Sequence, residues 1–200
     1  IDVLADNNSF TELRKDFGTA LVCGFMRIEG RAVAVMANNC QVLGGAIDAE
    51  AADKAARFFS LCDSFALPIV SLCDTPGFMV GPDSERQAAV QRMSQLFIAG
   101  AKCSAPIVTV YLRKAYGLGA MAMAGGSFHR PLYSVAWPTG EFGAMGLEGA
   151  VQLGFKKELA AEANDEAREQ LFSQLLDMLY EKGRATEKEG RGSKTKISGE

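Results

Sequence analysis

The chain has 200 residues, 48% of them apolar and 22% charged, which is the size of one domain and enough apolar material for a real core, so intrinsic disorder is excluded. A formal charge of −3 provides no basic field for nucleic acid. No apolar run reaches the ~18 residues of a membrane-spanning helix, and the opening at Ile1 without a signal-peptide pattern reads as a fragment of a longer chain.

Ala20–Ile28 and Ala32–Asn38 are apolar, β-prone runs separated by Glu29-Gly30-Arg31, a pattern that predicts a hairpin. A helix is expected from Asp48, as N-cap, to Phe65, with Ala52, Ala55, Phe59 and Cys62 at helical spacing. Ile69–Cys73 reads as a buried strand, ending in the turn-rich Asp74-Thr75-Pro76-Gly77-Phe78. One helix is expected over Ser84–Lys102, with Val90, Met93, Phe97 and Ala101 on one face. Ala105–Leu112 reads as a strand, followed by the turn Gly117-Leu118-Gly119 and the small-residue stretch Ala120–Ala124. Leu132–Ala136 is a further short strand. Asn164 is the expected cap of a last helix carrying Leu171, Leu175 and Leu179 in one stripe and Phe172, Leu176 and Tyr180 in the next. From Lys182 onward charged residues lie among Gly, Ser and Thr, which predicts a polar, disordered tail over 184–200.

This order is an α/β pattern. Continuous apolar strands joined by helices predict parallel neighbours, with the chemistry beyond their carboxyl ends, here 74–78 and 113–119. The five cysteines lack CxxC spacing and sit mostly in apolar runs, which favours free thiols in a reducing, cytoplasmic compartment and speaks against a metal. His129 is the only imidazole and no GxSxG occurs, so a Ser–His–Asp nucleophile has little support and His129 reads as structural or solvent-facing.

The Gly-rich turn is the most informative feature. Side-chain-poor residues opening a helix leave N–H groups free for a phosphate or an oxyanion. Two other readings stand beside this one. Gly117-Leu118-Gly119-Ala120-Met121-Ala122 fits a dinucleotide-binding GxGxxA, although Glu141 lies badly for a ribose; alternatively the glycines merely allow close packing.

Several motifs, in one order and at matching spacings, resemble the second half of the carboxyltransferase subunits of biotin-dependent acyl-CoA carboxylases. They are Gly24–Arg31, Val35–Asn39, Ala55–Phe58, Asp74–Phe78, Arg113–Gly117, Ala136–Thr139, Gly143–Gly146 and Gly149-Ala150. The resemblance covers roughly Asp2–Gly183 and implies an α/β, crotonase-type spiral of ββα units, a C-terminal-type carboxyltransferase domain over 1–183. It implies transfer of a carboxyl group from carboxybiotin, carried on a partner protein or domain, to the α-carbon of an acyl-CoA. The acyl-CoA would be bound mainly by an N-terminal domain outside this chain.

In that reading the backbone amides of Leu118 and Gly119 stabilise charge on the biotin ureido oxygen, and biotin packs along Tyr116, Gly117 and the Pro76-Gly77-Phe78 loop. No metal takes part. The implied partners are the N-terminal carboxyltransferase domain, a biotin carboxyl carrier, a biotin carboxylase and further copies of the chain. Two departures stand out. Leu118 occupies a position that is usually Gly, and Met121 stands where an acidic specificity residue is common, which suggests an apolar substrate-pocket wall. A biotin-dependent decarboxylase running the transfer in reverse, and a non-catalytic assembly module, are the alternatives.

Overall fold

The computed structural model describes residues 1–162 and 164–183; the expected tail at 184–200 lies outside the described residues. Its elements run β1 (Thr11–Leu13), β2 (Leu21–Ile28), β3 (Arg31–Asn38), a 3-10 turn at Leu43–Gly45, α1 (Ala49–Ser64) and β4 (Ile69–Thr75). They continue with α2 (Pro82–Arg86), α3 (Ala89–Lys102), β5 (Ile107–Tyr116), α4 (Gly117–Met123), β6 (Tyr133–Ala136), β7 (Glu141–Gly143), α5 (Leu147–Gly154), α6 (Lys156–Ala161) and α7 (Asp165–Gly183).

The hairpin forms as expected. β2 and β3 pair antiparallel from Leu21↔Asn38 to Ile28↔Arg31, closed by Glu29 (φ 51) and Gly30 (φ 78), the left-handed pair that matches strand twist in a two-residue turn. From β3 the sheet turns parallel, in the order β3-β4-β5-β6. β6 and β7 pair with successive stretches of β5, Val108–Tyr111 and Lys114–Tyr116, so the two short strands act as one interrupted neighbour. The interruption is a turn in which the Gly140 amide donates to the Trp137 carbonyl and Thr139 Oγ1 to the Leu112 carbonyl, both at 2.7 Å.

Asp48 caps α1, its carboxylate accepting from the Ala51 amide at 2.8 Å, and Asn164 caps α7 by accepting from the Ala167 amide at 2.8 Å. The single helix expected over Ser84–Lys102 is two helices. The chain breaks at Ala88, held in the left-handed region at φ 53. Within α3, Val90 and Ala101 point to solvent, while Ala89, Leu96 and Gly100 are buried and Met93 and Phe97 pack against the core. The expected stripe therefore holds at Met93 and Phe97, while the buried face is centred toward Leu96 and Gly100, where α3 meets α1 and α4. Lys182 and Gly183 belong to α7 rather than to the tail.

The main core lies between one sheet face and helices α1, α3 and α4, with Phe59, Leu21, Ile69, Ile107, Leu96 and Met123 fully buried. A smaller cluster of Met26, Val35, Ala37 and Leu72 sits on the opposite face, with Ile1, Ala5 and Phe10 packed against it. All five cysteines are free thiols. Burial pushes Cys23 and Cys62 up to about 12 and raises Cys73 as well.

These shifts have a consequence for pH. An unfolded thiol ionises near ~8.5, whereas the folded state holds its proton to a much higher pH. The folded pKa is raised, so this contribution to stability is fully present below the unfolded pKa and is lost as pH rises toward the folded one. Urea denaturation in reducing buffer should therefore give a lower midpoint at pH 10 than at pH 7.5. Replacing Cys23 and Cys62 with Ala should lessen the difference between the two midpoints; an unchanged midpoint in the native chain would contradict the assignment.

Candidate active site

The carboxyl ends of β4 and β5 lie side by side, and their register slips between Cys73 and Thr75. Asp74 sits in this slip and clamps it. Its Oδ1 accepts from the Lys114 amide at 3.1 Å, and its Oδ2 lies 3.2 Å from the Arg113 guanidinium. The Asp74 amide donates to Asn38 Oδ1 at 3.0 Å, which extends the clamp to β3.

Beyond Asp74 the chain folds into a tightly held loop. Thr75 Oγ1 accepts from the Gly77 amide and donates to the Gly77 carbonyl, both at 3.1 Å. The Ile47 amide donates to the Gly77 carbonyl at 3.0 Å, and the Met79 amide to the Ile47 carbonyl at 2.9 Å. Gly77 has φ 121, a conformation that disfavours any side chain. Phe78 packs on Phe97 of α3 with ring centroids 6.1 Å apart.

The Gly-rich turn meets this loop directly. A Cβ added at Gly119 would lie 2.7 Å from the Gly77 Cα and 2.9 Å from its carbonyl carbon, so the two backbones touch. Gly117, at φ 54, turns the chain from β5 into α4, and a Cβ there would lie 2.7 Å from the Ala144 carbonyl oxygen. No side chain caps α4 at Tyr116, and the first amides of a helix have no intrahelical acceptor. Leu118 is 61% exposed beside the buried Gly119. Met121 is half-buried one turn on.

Sequence reasoning thus grouped Pro76, Gly77, Phe78, Gly117, Leu118 and Gly119 from two separate loops, and the fold brings those loops into contact. Tyr116 differs from the expectation. It is 4% exposed, its hydroxyl donates to Glu141 Oε2 at 2.7 Å, and Gly143 lies against its ring. Burial first, then the Glu141 carboxylate, raises the Tyr116 phenol well above its usual range. Its side chain therefore faces β7 and the interior, and its visible work is to anchor the end of β5. Glu141 serves as that acceptor, not as a ribose ligand.

Asn38, Ile47, Asp74 and Ala144 also shape the site, although the sequence did not single them out as site residues: Asn38 and Asp74 act through their side chains, Ile47 and Ala144 through their backbones. His129 is exposed in the loop after α4, its amide donating to Ser127 Oγ at 3.2 Å. Among the described residues no group of three metal-ligating side chains converges.

Residues 1–196 match the carboxyl transferase domain model. The chain belongs to the carboxyl transferase domain family. It is 39% identical over 165 residues to the propionyl-CoA carboxylase beta chain of Cereibacter sphaeroides, covering 82% of this chain and 32% of that protein. It is 37% identical over 169 residues to the methylmalonyl-CoA carboxyltransferase 12S subunit of Propionibacterium freudenreichii, covering 83% of this chain and 32% of that one.

Among solved structures, a single-chain, multi-domain long-chain acyl-CoA carboxylase superposes with a TM-score of 0.83 at 52% identity, covering 92% of this chain and 18% of that one. The transcarboxylase 12S hexamer superposes at 0.77 and 34% identity, covering 88% and 33%. The carboxyl transferase chain therefore has the crotonase-type fold, and it spans about a third of the length of these curated relatives. Its relatives include enzymes named for biotin dependence, such as the acetyl-/propionyl-CoA carboxylase beta6 subunit of Mycobacterium tuberculosis. Family membership removes the dinucleotide-binding reading of Gly117–Ala122.

The backbone contact makes a direct prediction. In Gly119→Ala the methyl group has nowhere to go except against the Gly77 backbone. The variant should lose about 1–3 kcal/mol of unfolding free energy by urea titration, the range for an overpacked interior. Leu118→Ala, at an exposed position, should stay within about 0.5 kcal/mol of the native chain.

Proposed function

We propose that this chain forms the biotin-side half of an acyl-CoA carboxyltransferase active site. The observation that carries the reading is the Gly77–Gly119 contact, which holds a helix start without a side-chain cap against a rigid, side-chain-poor loop. In this reading a small planar ring would lie on the backbone of Pro76-Gly77-Phe78 and against the first turn of α4. The carboxyl carrier's biotin, when bound, supplies the carboxyl group to be moved.

The chain's own residues contribute binding and charge stabilisation. The Leu118 and Gly119 amides act as preorganised donors for an oxyanion, aligned with the positive end of the short helix. Asp74, paired with Arg113 and bonded to the Lys114 amide, fixes the spacing between the two loops. The Thr75 hydroxyl takes up the Gly77 amide, leaving that loop no freedom to follow the ligand. No side-chain base is needed on this half, in keeping with the outward position of His129. Leu118 and Met121 would present apolar surface to the acyl portion. An N-terminal-type domain would complete the site by binding CoA, and the carrier, the biotin carboxylase and further copies of the chain are the proposed partners.

The test uses single-residue variants of the complete enzyme. Leu118 is the second residue of α4, where proline's fixed φ is tolerated, so Leu118→Pro deletes one donor at little structural cost. It should lower kcat by about 10²–10³, the range for one lost oxyanion donor, with KM for acyl-CoA nearly constant. Leu118→Ala keeps the N–H and should stay within a few-fold, as should His129→Ala. A Leu118→Pro enzyme of native kcat would overturn the oxyanion role. A loss of roughly 10²–10⁴ in His129→Ala would instead move the chemistry to a general acid or base.

A further inference from the structure

Away from the Gly77–Gly119 contact, a cavity of about 200 Å³ is bounded by residues of β1, β2 and α1. Lys54, Arg57, Phe58 and Leu61 reach it from one face of α1, at the three-, four- and seven-residue spacings that stack side chains on a helix. Arg14 and Cys23 line it from the strand side. Lys54 is only 2% exposed, and its ammonium makes one hydrogen bond, to the Leu21 carbonyl at 2.7 Å.

An ammonium offers three donors, and a charge taken out of water without an opposite charge is costly. The ion pairs among the described residues are Arg86–Asp83, Arg92–Asp53, Arg113–Asp74 and Arg168–Asp165; none includes Arg14, Lys54 or Arg57. The Cys23 thiol is no counter-charge either, since burial keeps it protonated at neutral pH. Arg14 is also held in the left-handed region at φ 51, a conformation that arginine rarely adopts and that collects at ligand-binding positions. Three cations thus line a slot with Phe58 and Leu61 as its apolar wall; among the described residues no carboxylate lines it, although that of Glu12 on β1 is near enough to act on the Cys23 thiol.

We propose that this slot is a carboxylate-binding site, with Lys54 as its buried cation, Arg57 and Arg14 at its rim and room for a short apolar tail. About 200 Å³ corresponds to roughly seven water volumes, which suits a short-chain acid and is too small for an acyl-CoA. The carboxylate could be a free short-chain acid or an acidic side chain from a neighbouring copy of the chain; the chemistry recognised is the same, and the experiment separates the two sources. The site is independent of the oxyanion reading.

Butyrate is the probe, with chloride at equal ionic strength and butanol as controls. At about twenty times its Kd, butyrate should raise the melting temperature of the chain by ~5 °C. The rise should fall at least five-fold in Lys54→Met and in Arg57→Gln; Arg57→Gln leaves the interior untouched and carries the test if the Lys54 variant does not fold. Sedimentation then separates the sources. A free acid binds without changing the oligomer, whereas a carboxylate from a neighbouring copy makes butyrate and Arg57→Gln each shift the chain toward smaller species. Either pattern supports the site. The proposal is overturned if butyrate acts no differently from the controls while Arg57→Gln sediments like the native chain. A butyrate effect undiminished in Arg57→Gln would overturn it equally.

Discussion

The approach of two glycines is the constraint on which this site rests. Gly77 and Gly119 lie 42 positions apart in the chain, one in the loop after β4 and one in the helix after β5, yet their backbones are in contact. Such contact requires parallel neighbouring strands whose carboxyl ends finish at the same level, and the β4–β5 pairing from Ile69↔Ile107 to Thr75↔Ala115 provides that. It also requires that neither loop be free to relax. Thr75 and Ile47 tie down the first loop, while Tyr116 and the Ala144 carbonyl confine the second.

Around that contact the polar groups have structural duties before any chemical ones. Asp74 is satisfied by a guanidinium and a backbone amide, and Tyr116 by Glu141. What remains available at the site is the uncapped first turn of α4, beside exposed Leu118. The proposed chemistry asks only for such aligned amides, and catalytic power of that kind comes from donors fixed before the reaction starts. On the proposed reading, a site shared with a second domain would hold both reactants in one geometry.

Much of this architecture was legible in the sequence. The hairpin, α1 with its Asp48 cap, the parallel strands and the α7 cap at Asn164 follow from periodicity and capping chemistry that act within a few residues. The break at Ala88 was not legible, because alanine gives no sign that it will adopt a left-handed conformation. β7 and the double pairing of β5 were equally hidden, since Glu141–Gly143 is only three residues long and its pairing is set by the turn at 137–140. Within the site, the glycines announced themselves by type. The burial of Tyr116 did not, because an aromatic residue at a strand end can face either way until its partner, here Glu141, is located.

The central claim is that the Leu118 and Gly119 amides face the biotin ring. It is tested most directly by titrating the isotopically labelled carboxyltransferase with a biotinylated carrier domain and following backbone amide resonances. The account predicts that the largest shifts fall on Leu118 and Gly119, with smaller ones at Gly77 and Phe78, and that an unbiotinylated carrier leaves these four unchanged. Shifts centred instead on the Arg113, Thr139 and Glu141 surface, with Leu118 and Gly119 unmoved, would contradict it.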